Sequence, residues 1–418
     1  MIVSGMTSIS RMPHYFVVLF LCTIWILSYG FFYCTYLPIN VCKIVAWLTN
    51  LVFLFFFLIN YSSFGRYKYW SPLSLLILWG GFVPLFTSFI FHGQDIDMSI
   101  RTVLPWFQFC FCFVLLYYSV SESDLYKAIL CFCVVYLLLY VAAVFHAPNF
   151  LFDPSGGVGF ESIEQGRGWY RIKIVGDGFV HLMLYWQINK YVINRKKSNM
   201  LLAIMCFIMV LLSLSRQHML IAFCLSFFFL LKNSSWAMRF GVLAIMLFVF
   251  LYLLPQSDIY NSLLDLTTSQ LDKNDNGKDD VRILAYKFYI GYNENILQDI
   301  LGNGIFHSDS KWGQSIYRIM IERGYVLADV GLVSLFFYYG YLGCAIILRF
   351  LFMIFSSNLD KAHTFVKYYV LSVILGTVFS HTFDMCLLQL SIIYYMIFIN
   401  NKRHVYARLV KTTLKDYL

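Results

Sequence analysis

Residues 211–228 read LLSLSRQHMLIAFCLSFF. The flanks suit the interior of a bilayer, yet Arg216 and His218 stand between them beside Ser213 and Ser215. An arginine at the centre of a membrane helix costs at least ~2.5–3.5 kcal/mol. The segment is therefore a span only if its charge has somewhere to go. The rest of the chain sets the context. Its 418 residues are 60% hydrophobic and only 13% charged, with a mean hydropathy of +0.70. A soluble protein cannot hide that much apolar surface in its cores. The apolar runs are about 20 residues long, enough for a helix to cross a ~30 Å hydrocarbon layer. They are continuous and do not alternate over ~10 residues, which argues against a transmembrane barrel. The fold class is an all-α polytopic integral membrane protein. The opening stretch reads as two spans meeting near Ser215, with one long or broken helix over 199–232 as the alternative.

About twelve spans follow from the hydropathy, at roughly 15–36, 40–60, 70–91, 102–120, 124–146, 173–193, 199–214, 216–232, 237–254, 327–354, 364–381 and 383–400. Lys and Arg assign the sides. Arg66, Lys68, Lys190, Arg195, Lys196, Lys197, Lys232, Arg239, Lys361, Lys367 and the basic tail all fall on one side, the cytoplasm, along with both termini. The domain reading is one transmembrane domain over 1–418, with a first outer loop at 147–172, a large late outer loop at 255–326 and a cytoplasmic tail at 401–418. Loops this long in a compact protein are usually functional. The Arg216 turn falls on the same outer side. The net charge of +9 reports orientation and does not point to nucleic acid. The eleven cysteines lie in or beside apolar runs, so neither a disulfide framework nor a metal knuckle is expected.

Several groups on the outer side could carry chemistry. The planar fork of Arg216 suits phosphate oxygens; the alternative is snorkelling or a structural bond to loop carbonyls. Asp272, Asn274, Asn276 and Gly277 match four positions of a calcium loop, but Ile283 stands where a bidentate Glu is required. A solvated turn is the better reading. Val281, Leu284 and Phe288 recur at helical spacing, which predicts an amphipathic helix over the bundle mouth with Arg282 on its first turn. Gly302 and Gly304 allow a tight backbone path beside a ligand, and His307 and Asp309 follow as candidate bases. Asp329 lies just inside an apolar run, where desolvation should favour pairing with a cation such as Arg318 or Arg323. The first loop adds Arg167, Arg171 and Lys173, followed by Asp177 and His181 on the next helix. So many cations against the positive-inside trend suggest an anionic ligand.

Three segments together resemble the Wzy-type O-antigen and capsule repeat-unit polymerases, and more distantly the O-antigen ligases. They are SLSRQHMLIA (213–222), VRILAYKFYIGYNENILQDILGNGIFHS (281–308) and LADVGLVSLFFYYGYLG (327–343). The resemblance covers the last two thirds of the chain. It implies a C-type (GT-C-like) membrane glycosyltransferase architecture, in a bacterial cytoplasmic membrane with the active site on the outer side. It implies a glycan on undecaprenyl pyrophosphate as donor and one repeat unit on the same lipid as acceptor. No metal or cofactor is implied, and a chain-length regulator is the implied protein partner. Arg216 and Arg282 would hold the pyrophosphate, supported by Arg171 or Arg318. His307 would be the base, with Asp329 orienting an Arg or acting as the base itself. The absence of a His at the last membrane re-entry, where Asp329 stands instead, favours polymerase over ligase. A transporter or flippase is the rival from another class. Such proteins show paired repeats and charges on both sides of a central cavity; here there is no such repeat, and the polar mass sits in one outer loop.

Overall fold

Helices meet end to end in two layers of turns, and the turns define the two ends of the bundle. The computed structural model describes residues 39–64, 70–147, 149, 151, 163–166, 169–172, 176–212, 215–232 and 281–416. The expected spans at 15–36 and 237–254 and the calcium-like segment up to residue 280 lie outside them. Among the described residues, six helices are long and apolar enough to cross a membrane: Lys43–Asn60, Pro72–His92, Ile96–Tyr117, Glu122–His146, Gly331–Ser356 and Lys361–Phe379. Large apolar side chains such as Leu58, Ile90, Leu138, Phe145, Leu201 and Phe352 are exposed around the perimeter. In a soluble protein this would be a liability; around a helical bundle it is the surface that faces lipid.

The described helices are α1 (Ile39–Phe64), α2 (Trp70–His92), α3 (Ile96–Val103), α4 (Phe111–Tyr117), α5 (Glu122–His146), α6 (Asp177–Asn194), α7 (Lys197–Leu212), α8 (Arg216–Lys232), α9 (Val281–Ile290), α10 (Ile296–Leu301), α11 (Lys311–Arg323), α12 (Gly331–Ser356), α13 (Thr364–Phe379), α14 (Thr382–Met385) and α15 (Leu387–Asp416). The all-α expectation needs one amendment. The connection between α5 and α6 carries a hairpin of β1 (Ile163–Gly166) and β2 (Trp169–Ile172), antiparallel with Glu164 opposite Arg171.

One end of the bundle is tied by Asn189, whose Nδ2 donates to the Lys361 and Ala362 carbonyls at 3.2 and 2.6 Å. It is also tied by His363 against Glu122 at 3.3 Å, by Tyr395 donating to the Val120 carbonyl, and by Asn400 donating to the Asn358 carbonyl at 2.9 Å. Lys190, Arg195, Lys196, Lys197 and Lys361 belong to this end. At the other end, Tyr286 donates to the Val378 carbonyl at 3.3 Å, and the His381 amide donates to the Ala328 carbonyl at 3.1 Å.

The break near Ser215 is a true turn. Phe207 and Phe223 have ring centroids 6.3 Å apart, whereas 16 residues of straight helix would separate them by roughly 24 Å. So α7 and α8 fold back as a hairpin, and Arg216 is the first residue of α8. A second break lies between α3 and α4. Residues Leu104–Cys110 form a 3₁₀ segment that begins with Pro105 at its first turn. The backbone groups at this change of pitch are recaptured by Ser391 of α15. Its Oγ donates to the Phe109 carbonyl at 3.0 Å and accepts from the Cys112 amide at 2.7 Å.

The third break is in α12, at Gly340, with φ +66° and ψ −177°. Here the chain between α10 and α11 enters the bundle. The Asn303 and Gly304 amides donate to the Phe337 and Tyr338 carbonyls at 2.8 and 3.1 Å, and Trp79 Nε1 donates to the Tyr339 carbonyl at 3.3 Å. Irregular backbone at membrane depth is tolerated only where protein covers it and satisfies its polar groups, and this segment does both. Asn303 is fully buried. Its Oδ1 accepts from His92 Nε2 at 3.0 Å, and its Nδ2 donates to Asn293 Oδ1 at 2.6 Å. His92 in turn stacks on Trp312 at 3.8 Å and 8°. The tight path that Gly302 and Gly304 permit therefore runs against protein backbone: a Cβ on Gly302 would sit 2.4 Å from the Tyr338 carbonyl oxygen, and one on Gly304 would sit 2.5 Å from that of Pro84. This corrects the expectation of a ligand beside them.

Candidate functional site

The end of the bundle that carries Arg216 also gathers buried and half-buried polar groups from four helices. Asp177 opens α6 directly after Gly176, whose φ of +114° bends the chain into the helix. One turn later on the same face comes His181, which is buried. His218 projects from the first turn of α8, two residues after Arg216. The nearest ligand atoms of Asp177, His181 and His218 lie within 4.8 Å of one another. His218 Nδ1 is 3.9 Å from an Asp177 oxygen, and its Nε2 is 3.3 Å from Thr382 Oγ1. Thr382 Oγ1 also lies 2.8 Å from Ser380 Oγ. These groups line a small pocket, with Tyr369 and Ser372 of α13, Thr382 and Met385 of α14, and Cys386 on its walls.

Beside the pocket is a second pair. His381 Nε2 lies 2.8 Å from Asp384 Oδ2. The other Asp384 oxygen accepts from Tyr339 at 3.3 Å, and Tyr339 accepts from Trp106 Nε1 at 2.6 Å. The Nδ1 of His381 faces Ser334 Oγ at 3.3 Å, but that hydroxyl already donates to the Gly331 carbonyl at 2.7 Å. Burial alone would push His381 down; the Asp384 carboxylate more than offsets it and holds the imidazole above its ordinary pKa. Nε2 therefore faces the carboxylate as an ion-pair partner, and Nδ1 faces Ser334.

The residues nominated from the sequence are distributed around this centre. Arg216 heads α8, although its side chain lies outside the described set, as does that of Arg171 on β2. Arg282 is exposed on α9, as expected for its first turn, one turn before Tyr286, which bonds to the end of α13. The buried face of α9 is Ala285 and Tyr289, with Leu284 and Phe288 half-buried at its edges and Val281 exposed. Arg318 is exposed on α11. It is not among the residues lining the pocket.

His307 faces elsewhere. Its amide donates to Gln94 Oε1 at 2.8 Å, and its Nδ1 is 3.7 Å from Asp309. Burial lowers its pKa, with Asp309 opposing the shift. It belongs to the corner between α2 and α3, where Gln94 also donates to the Ile305 carbonyl at 3.1 Å. Asp329 needs a correction. It closes a 3₁₀ turn at Leu327–Asp329 and is exposed, with no ion pair among the described residues. Its side chain stays at the surface between Leu327 and Val330, which are the buried residues of this turn.

His381 and Asp384 were missed by sequence reading. The signal was present in HTFD at 381–384: a His and an Asp three apart in the short polar break between two apolar runs. No protein-family model matches the chain, and no curated protein matches it.

Proposed function

We propose that this chain is a membrane-embedded glycosyltransferase that polymerises glycan repeat units carried on undecaprenyl pyrophosphate. The observation that carries the reading is the convergence of Asp177, His181, His218, His381 and Asp384 at the bundle end where Arg216 begins α8. The resemblance of the three segments supplies the substrate class. In this reading that end faces the outer side of a bacterial cytoplasmic membrane, and the Lys-rich end faces the cytoplasm.

The acceptor sugar hydroxyl attacks the anomeric carbon of the donor, and the bond from that carbon to the pyrophosphate oxygen breaks. The leaving pyrophosphate gains charge in the transition state, where preorganised guanidinium groups stabilise it most if water is excluded. Arg216 is assigned that role, with Arg282 on the covering helix and Arg171 or Arg318 as outer contacts that draw the anion in. The hydroxyl proton needs an acceptor. His381 is better oriented for this than the His307 nominated from sequence, because Asp384 holds its ring and stabilises the imidazolium that forms. His307 and Asp329 then support the outer loops.

Replacing Arg216 with Ala and with Lys in the host tests this directly, with the surface polysaccharide run on a gel and the protein level checked in membranes. Collapse of the ladder to a single repeat unit, poorly rescued by Lys, is the expected result. Long chains that remain on the carrier lipid would instead indicate a ligase. An unchanged ladder would remove the reading's anchor.

A further inference from the structure

The geometry points to a divalent transition-metal site of the Zn²⁺ class, formed by Asp177, His181 and His218. The inference does not rest on the glycosyl-transfer reading, and it departs from the metal-free expectation drawn from the resemblance. Three features carry it.

The first is the donor set. Two imidazoles and one carboxylate with open positions is a common arrangement for borderline divalent metals. Asp177 and His181 are one helical turn apart on α6, which puts both donors on one face, and His218 arrives from the first turn of α8. The second is spacing. The three ligand atoms already lie within 4.8 Å of one another. Bonds of about 2.0–2.2 Å around a tetrahedral ion put donors roughly 3.4 Å apart, so side-chain rotation closing the set by about an ångström completes it. The third is orientation. His218 turns Nδ1 toward Asp177 and Nε2 toward Thr382 Oγ1, at 3.3 Å. Ligating histidines are held in this way, with the second ring nitrogen bonded to an outer group that fixes the tautomer. Thr382 is thus a positioning residue. The remaining coordination positions open into the pocket between α6, α8 and α13, where a water or an anionic oxygen of a ligand completes the shell.

The test uses the full-length protein in detergent with any affinity tag removed, stripped with EDTA and titrated with Co²⁺ as a visible probe, then with Zn²⁺. One equivalent of Co²⁺ with a visible spectrum, displaced by Zn²⁺, is expected. Binding should be lost in His181→Gln and in His218→Gln, and retained in His146→Gln at the far end of α5. Thr382→Val should weaken affinity by about 10–100-fold while preserving the stoichiometry; a merely structural threonine would leave the affinity unchanged. If a histidine variant does not fold, Asp177→Asn and the wild-type unfolding midpoint take over, since an ion held by the native state raises that midpoint with its concentration. The proposal is overturned if the wild type retains no ion and its midpoint ignores Zn²⁺, or if both histidine variants bind as the wild type does. None of these readouts involves glycan synthesis, so failure here leaves the proposed activity untouched, and failure of the Arg216 test leaves the metal site untouched.

Discussion

Gly340→Ala should be among the most damaging single-methyl additions in this protein, for two separable reasons. Its backbone, at φ +66° and ψ −177°, lies in a region almost reserved for glycine, where another residue costs about 1–3 kcal/mol. The added Cβ would also stand 2.3 Å from the Ile300 carbonyl oxygen and 2.5 Å from the Gly302 nitrogen. Both are backbone atoms that cannot rotate away, and forcing extra volume into such packing costs a further ~1–3 kcal/mol. The sum is about 2–6 kcal/mol. Gly93 provides the control: its φ is +60°, but nothing lies within 4 Å of its missing Cβ. Gly93→Ala should therefore show the backbone cost alone, about 1–2 kcal/mol. Thermal unfolding of the purified protein, followed by intrinsic fluorescence, should rank the midpoints as wild type, then Gly93→Ala, then Gly340→Ala. Limited proteolysis should cut the 296–310 segment faster in Gly340→Ala only. Equal midpoints for the two variants would refute the claim that the α10–α11 segment is wedged against the α12 backbone.

Asn303→Asp is nearly isosteric, but it places a carboxylate against the Asn293 oxygen and the Phe337 carbonyl that the amide now serves. It should cost about 2–4 kcal/mol through lost and unpaired buried hydrogen bonds, measured as a lower denaturant midpoint, with Asn303→Ala milder. For His381 the native pKa is raised, so its ionised pair with Asp384 contributes stability that is fully present below about pH 6.5 and is lost as pH rises through the raised value. The stability gap between wild type and His381→Gln should accordingly be widest near pH 5.5–6 and narrow toward pH 8. His307, whose pKa is lowered, gives the opposite slope: the contribution of its neutral form fades as pH falls below about 6.5, and His307→Gln should flatten that limb. A pH scan of unfolding midpoints for the two variants checks both signs.

The large features were legible because they rest on periodicity and length. The spans at 40–60, 70–91, 124–146 and 364–381 each correspond to a described helix to within a few residues, and α8 begins at Arg216 where the polar turn was expected. The breaks inside helices were not legible. Gly340 sits in an apolar run with no local sign of a stop; its conformation is imposed by a segment whose bonds reach it from more than 30 residues earlier, at Asn303 and Gly304. Pro105 marked a departure from α geometry, but nothing local could say that Ser391 would repair it. At the site, local reasoning found cations by residue type and could not see which residues the turns bring together. His307 was favoured because it follows a glycine pair, yet that pair serves α2 and α12. His381 and Asp384 were passed over because each is a single polar residue near a predicted span boundary, and only the bend between α13 and α15 aims them at each other.

The break at Gly340 also constrains how the chain can be assembled. The carbonyls of Phe337, Tyr338 and Tyr339 are served by groups from other segments, so the first third of α12 is incomplete by itself in lipid. A nascent α12 must either enter the bilayer straight and break later, or enter after residues 296–305 have already turned back into the bundle. Both routes make the bend a late event that waits on long-range contact. This first stretch carries Ser334 and Tyr339, the neighbours of His381 and Asp384. The His381–Asp384 pair would therefore acquire its final geometry only when the chain upstream has docked.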